Sequence, residues 1–207
     1  ARELFDSYLN NIFTREFLKT EQIKDVCLKI QDGAHRSPKT LYKENGEGRF
    51  LYITSKNIRN NYIDISKISY VDDNFHNSIY PRCNPEKGDV LLTKDGVNTG
   101  NVTINTLNEP FSLLSSVCLI KTDPELLNPR FLVYYIQSKP GFEQITGRMT
   151  GAAITRIILR TIKSSKIPLP LLDEQQQIVE KLDILHYKTQ RHDNAPPLLI
   201  LLGLQFV

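Results

Sequence analysis

The sequence predicts a mixed α/β (α+β) fold, and three observations carry that prediction. Apolar residues recur at spacings of three and four at the N-terminal end and again after residue 172. Between these stretches lie short β-type runs broken by Gly, Pro, Asn and Asp. An Asn-Pro pair opens an aromatic-rich helical stretch late in the chain. Period 3.6 marks a helix with one apolar stripe, whereas short runs bounded by turn residues mark strands.

Leu4, Phe5, Tyr8, Leu9, Ile12 and Phe13 make the first helix, over about the first 15 residues. The chain begins inside this pattern with no N-cap, as expected of the tail of a longer helix. Strands are expected at Val26 to Ile30, Phe50 to Thr54, Val90 to Thr93, Asn101 to Ile104 and Ser116 to Lys121. Asp32 to Lys39 and Asn45 to Gly48 carry loop chemistry. Asn128 and Pro129 start a helix that Pro140-Gly141 should end, and a second short helix covers Phe142 to Thr146. Asp173 should cap the last helix with Gln176 at the capping-box position. Ile178, Leu182 and Leu185 form its stripe, and Pro196-Pro197 should stop it. This divides the chain into residues 1–16 as a helix end, 17–168 as the domain, 169–195 as the next helix and 196–207 as an apolar tail.

Composition narrows the function classes. The formal net charge of +3 is small, but its distribution is uneven. From Gly147 to Lys166 the chain carries Arg148, Arg156, Arg160, Lys163 and Lys166 and no acid. Small residues with arginines suit backbone approach and bidentate contact to phosphate; the other reading is a solvated basic loop. Cys27, Cys83 and Cys118 are widely spaced, and the four histidines stand apart, so neither a disulfide framework nor a metal site is expected. No leader is visible, and the apolar run Leu198 to Val207 is short against the ~20 residues of a membrane span. The expectation is a cytoplasmic protein without membrane contact. A phosphate-binding P-loop, a dinucleotide fingerprint and a Gly-x-Ser-x-Gly elbow are all missing, so neither catalysis nor a cofactor is expected.

Two loops are candidate binding elements. Asp32-Gly33-Ala34-His35-Arg36-Ser37-Pro38-Lys39 is either an ordinary turn or a loop whose donors contact phosphates and base edges. Gly88 to Val102 reads as strand, polar loop and strand. Gly96 and Gly100 there allow close backbone approach, and Lys94, Asn98 and Thr99 supply polar side chains. The bland reading is a plain hairpin.

Taken in order, six segments resemble the specificity subunit of Type I restriction–modification systems. They are Asp32-Gly33-x-His35-x-x-Pro38, Tyr52 to Ile58, Gly88 to Gly96, Asn128-Pro129 with its aromatic helix, Gly151-x-x-Ile154-x-Arg156, and Pro168 to Gln175. The resemblance implies a target recognition domain with a largely antiparallel or mixed sheet, flanked by an antiparallel helical hairpin of spacer helices. It implies a non-catalytic subunit that binds double-stranded DNA and reads one half of a split site, docks methyltransferase subunits, and meets motor–nuclease subunits indirectly. A half-sized subunit would form a homodimer. On this reading His35, Arg36, Lys39, Lys56, Lys94, Asn98, Thr99, Arg148, Thr155, Arg156 and Arg160 face DNA. Leu4, Tyr8, Ile12, Ile178, Leu182 and Leu185 face a partner helix. The competing reading is an interaction module that docks a methyltransferase through its helices without reading DNA.

Overall fold

A computed structural model describes residues 2–14, 19–96, 98–147 and 156–193. In chain order these form α1 (Arg2–Thr14), β1 (Thr20–Gln22), a 3-10 turn (Ile23–Val26), β2 (Cys27–Asp32), β3 (Arg49–Ile53), β4 (Ile58–Arg59), β5 (Tyr62–Ile63) and β6 (Ser69–Asp72). There follow α2 (Asp73–Cys83), β7 (Val90–Thr93), β8 (Val102–Ile104), β9 (Ser112–Leu113), β10 (Val117–Thr122), α3 (Pro129–Gln137), α4 (Lys139–Thr146), α5 (Leu159–Ser164), β11 (Lys166–Pro168) and α6 (Leu172–Asp193).

The central sheet has the order β2-β10-β7-β8 and is antiparallel throughout. Its strands are apolar on both faces because both faces are covered. Successive side chains alternate between faces. Cys118 and Ile120 of β10, Val90 and Leu92 of β7 and Ile30 of β2 join one core with α1, α3, α4 and α6. Val117, Leu119 and Leu91 point the other way into a second core with Ile53, Ile58, Phe111 and Leu113. That second core rests under a smaller sheet, β6-β3-β9, in which β3 runs antiparallel to β6 and parallel to β9. The arrangement agrees with the mixed, largely antiparallel fold class read from the sequence.

Asn128 caps α3 as expected: its Oδ1 accepts from the backbone N–H of Arg130 and Phe131 at 2.8 and 3.3 Å. The helix then buries Phe131 through Ile136 without interruption, so it is a core helix rather than a surface one. Its end differs from expectation. Ser138 stops α3, and its Oγ accepts from Gly141 N–H to cap α4, so Pro140 sits in the first turn of a new helix. Proline is tolerated there because the first-turn N–H groups have no intrahelical partner.

The start of α6 also differs. Leu172 is already helical, so Asp173 lies in the first turn rather than at the cap. There its carboxylate still favours the positive end of the helix dipole. Gln176 does not reach back as a capping box would; its Oε1 accepts from Asn128 Nδ2 and its Nε2 donates to Glu180. Gln175 beside it is fully buried. It accepts from Asn128 N–H at 2.9 Å and donates to the carbonyls of Leu126 and Pro170, both at 2.9 Å. Arg130 of α3 adds an ion pair to Asp183 of α6 at 2.9 Å. The last helix is thereby bonded to the domain at two levels. Pro196-Pro197 and the apolar tail lie outside the described residues.

Candidate nucleic-acid interface

Three loops leave the sheets at one end, the first two tied to residues 113–117 and the third to the second through the Asn98 side chain. The first, 33–39, follows β2. Gly33 N–H donates to Val117 O, Ala34 N–H to Leu113 O and Ser115 N–H to Ala34 O, at 3.1, 2.7 and 2.9 Å. This seam has no room for a side chain, since a Cβ at Gly33 would sit 2.3 Å from the carbonyl oxygens of Leu113 and Leu114. The second loop, 54–57, is closed by Asn57, whose Oδ1 accepts from Thr54 N–H and Thr54 Oγ1–H. Ser55 N–H of this turn donates to Ser116 Oγ at 3.1 Å. The third, 94–101, turns on Gly96 and Gly100, with φ of 98° and 94° in the left-handed region that glycine adopts at little cost. Asn98 Nδ2 donates to Ser55 O at 3.0 Å, joining the third loop to the second.

Between these loops lies a cleft of about 510 Å³. Ser37 and Pro38 line it from the first loop, Thr54, Ser55 and Lys56 from the second, and Asp95 and Gly96 from the third. Lys67 also lines it. No local pattern marks Lys67 in the sequence, because its place at the cleft comes from long-range packing. Beside the first loop, His35, Arg36 and Arg82 line a second hollow of about 330 Å³. Tyr52 lies at the bottom of the large cleft, and burial pushes its phenol up to about 12, so it is a neutral group at any ordinary pH.

The expected DNA-facing residues divide as follows. His35, Arg36, Lys39, Lys56, Arg156 and Arg160 are exposed. Arg36 Nη2 donates to Ser78 O at 3.2 Å, and Arg156 stands 4.0 Å from Asp95 of the third loop. Asn98 and Thr99 are half-buried, with Asn98 Nδ2 and Thr99 Oγ1 engaged inside the chain by Ser55 and Gly96. Lys94 requires a correction. It is 3% exposed, with its ammonium 3.3 Å from Asp32 Oδ2. An inward carboxylate two strands away provides a partner that makes burial of this lysine tolerable. Arg148 and Thr155 lie outside the described residues.

The helix residues divide in the same manner. Ile12 of α1 and Leu182 of α6 are buried in the one core where these two helices meet, so they serve the chain's own helix pair rather than a second chain. Ile178 and Leu185 pack partly against that core. Leu4, Tyr8 and Leu185, with Lys181 and Ile184, line an apolar groove of about 420 Å³ along α1 and α6.

Among the described residues no three side chains of metal-binding type come together, and no helix is long and apolar enough to cross a membrane. The thiols are held protonated by burial: Cys27 is raised to about 12, with Asp123 adding to the effect, and Cys83 to about 11. Such thiols are poor nucleophiles.

The family model described as the Type I restriction modification DNA specificity domain matches residues 17–195. Over 151 residues the chain is 24% identical to the Type I restriction enzyme MjaVIII specificity subunit of Methanocaldococcus jannaschii, covering 71% of this chain and 31% of that protein. Over 98 residues it is 33% identical to the EcoBI specificity subunit of Escherichia coli, covering 47% of this chain and 19% of that protein. The matched stretches thus cover less than a third of the length of these curated relatives. Its fold is similar to a chain in a solved structure concerned with complex assembly and conformational transition of the type I R-M system. That likeness has a TM-score of 0.67 at 19% identity, over 90% of this chain and 44% of the other. With the motifs, the fold and the match over residues 17–195 in agreement, the chain belongs to the Type I restriction modification DNA specificity domain family.

Proposed function

We propose that this chain is a sequence-reading domain of a Type I specificity subunit, which binds duplex DNA and reads one half of a split site. The observation that carries this reading is the convergence of three separate loops on one cleft, with lysines at its wall. Lys56 and Lys67 line it, His35 and Arg36 lie beside it, and Arg156 stands 4.0 Å from Asp95 of its third loop. Lysine and arginine hold phosphates and fix register, while the polar loop groups between them meet base edges. On this reading the chain performs no chemistry itself and directs methyltransferase subunits, docked on its helices, to their target. Motor–nuclease subunits join through that assembly. The domain boundaries at residues 17–168 and 169–195 follow the same division of labour, with loops for DNA and helices for protein.

Selection of duplexes from a randomised pool, followed by binding at several salt concentrations, tests this reading. The expected result is an enriched short motif and a log–log salt slope of about −0.9 per phosphate contacted. No enrichment together with salt-independent binding would overturn it and favour a helix-docking module. Methylome sequencing of cells carrying the chain with its methyltransferase then gives the full site.

A further inference from the structure

Lys94 and Asp32 form a buried junction on which the DNA-facing loops converge. In the central sheet Cys118 pairs with Asp32 on one side and with Leu92 on the other. Lys94 follows Leu92 by two residues, so its side chain and that of Asp32 lie on the same face and meet across β10. The Nζ–Oδ2 distance is 3.3 Å, and the residues are 3% and 7% exposed. Asp32 ends β2 where the first loop begins, and Lys94 follows β7 where the third loop begins. His35 Nε2 of the first loop stands 3.8 Å from the same Asp32 oxygen. The Lys94 backbone makes two more ties: its N–H donates to Ser116 O at 2.9 Å, and its carbonyl accepts from Ile157 N–H at 2.6 Å. One residue therefore holds the first loop by its side chain and the segment carrying Arg156 by its main chain.

Stability gives a weak reason for such a pair. Replacing a buried ion pair by apolar residues of similar volume is often neutral or stabilising. This pair is also incompletely satisfied, since Asp32 Oδ1 is buried with no hydrogen-bond partner among the described residues. A buried acceptor left unbonded costs free energy that an apolar residue would not. What the pair supplies is a charged contact of defined length between two loop origins. We propose that Lys94 and Asp32 are positioning residues for half-site discrimination: their ion pair sets the spacing of the reading loops, and neither side chain touches DNA. The proposal rests on the reading above that those loops face DNA.

The test uses the full chain carrying D32L together with K94M, an apolar replacement of the pair. Two probes are used: the duplex that the wild-type protein enriches from a randomised pool, and poly(dI-dC). The expected result is an unchanged or higher melting temperature, unchanged affinity for poly(dI-dC), and a ratio of specific to non-specific affinity lowered by at least about tenfold. A ratio equal to wild type in the folded double variant would overturn the proposal while leaving DNA reading intact. If the wild-type chain binds neither probe, DNA reading itself fails and the proposal with it. Should the double variant not fold, hydrogen exchange on the wild-type chain decides the question. The amides of Gly33, Ala34 and Ile157 should then open as one unit, with protection equal within about tenfold. Independent opening of Ile157 would overturn the junction.

Discussion

At the scale of single residues, the side chains fall into those that hold the loops and those that project from them. Arg156 belongs to the second group: it is exposed, and its only ion-pair partner among the described residues is Asp95 at 4.0 Å. An exposed pair at that distance contributes little to stability, so the guanidinium is available to a phosphate. Arg156→Ala should leave the urea midpoint unchanged, weaken duplex binding at low salt and lower the salt slope by about one. Equal affinity at low salt would remove the phosphate role. Gly33 belongs to the first group. A methyl there meets two carbonyl oxygens at 2.3 Å, both of them backbone, so the seam between the first loop and Leu113–Leu114 must open to accept it. Gly33→Ala should destabilise by about 1–3 kcal/mol, as overpacking does, measured by urea unfolding. An unchanged midpoint would mean that the seam yields freely.

At the scale of elements, what the sequence disclosed depended on local pattern. The apolar stripe of α1, the runs of β7 and β10 and the Asn128-Pro129 cap were legible because each is written in consecutive residues. Helix α2 was missed: Pro81 lies inside it and its stripe is thin, and the one local signal was Asp72, whose carboxylate accepts from Phe75 N–H at 2.9 Å. The two-residue strands β4, β5 and β9 are too short to show a period. Lys94 was misread for another reason, since a lysine at a strand end looks exposed until Asp32, 62 positions earlier, is brought beside it. The interior of α2 also makes stability depend on pH. His76 is buried, stacked on Phe50 with ring centres 3.7 Å apart and bonded through Nδ1 to Ser112 Oγ. Burial lowers its pKa below the ordinary 6.5, with Asp73 opposing. Burial, with Arg130 adding and Asp183 opposing, lowers His186 likewise. As pH falls below 6.5 the unfolded chain takes up these protons before the folded one. Their contribution is therefore complete above that value and is lost as pH falls through the lower folded values. Urea midpoints should fall between neutral pH and mildly acidic pH, and His76→Asn should flatten part of that dependence. A midpoint that rises on acidification would contradict the assigned direction.

At the scale of the molecule, on the proposed reading one such surface meets one half-site, and a split site needs a second reading surface, from another domain or another copy. The groove along α1 and α6 is where a second copy would join. The two helices bury Phe5, Leu9, Ile12, Val179 and Leu182 inward, yet Leu4 remains 67% exposed and Ile184 56% exposed on the outer side. With Tyr8 and Leu185 they form a continuous apolar lining. Contiguous apolar surface of this kind marks an interaction site more often than scattered exposed residues do. A two-fold arrangement would place the same patch on both partners and set two reading surfaces in symmetric relation. Because Leu4 and Ile184 lie outside the core, charge can be placed there without disturbing it. Light scattering at micromolar concentration should give a dimer for the wild-type chain and a monomer for the doubly substituted Leu4→Glu, Ile184→Glu chain, with the same far-ultraviolet circular dichroism and a melting temperature that no longer depends on concentration. The variant should still bind the duplex carrying a single half-site as the wild type does, and lose the extra affinity for a duplex carrying two. A wild-type chain that stays monomeric at that concentration would rule the groove out as a self-association surface and leave it to a methyltransferase.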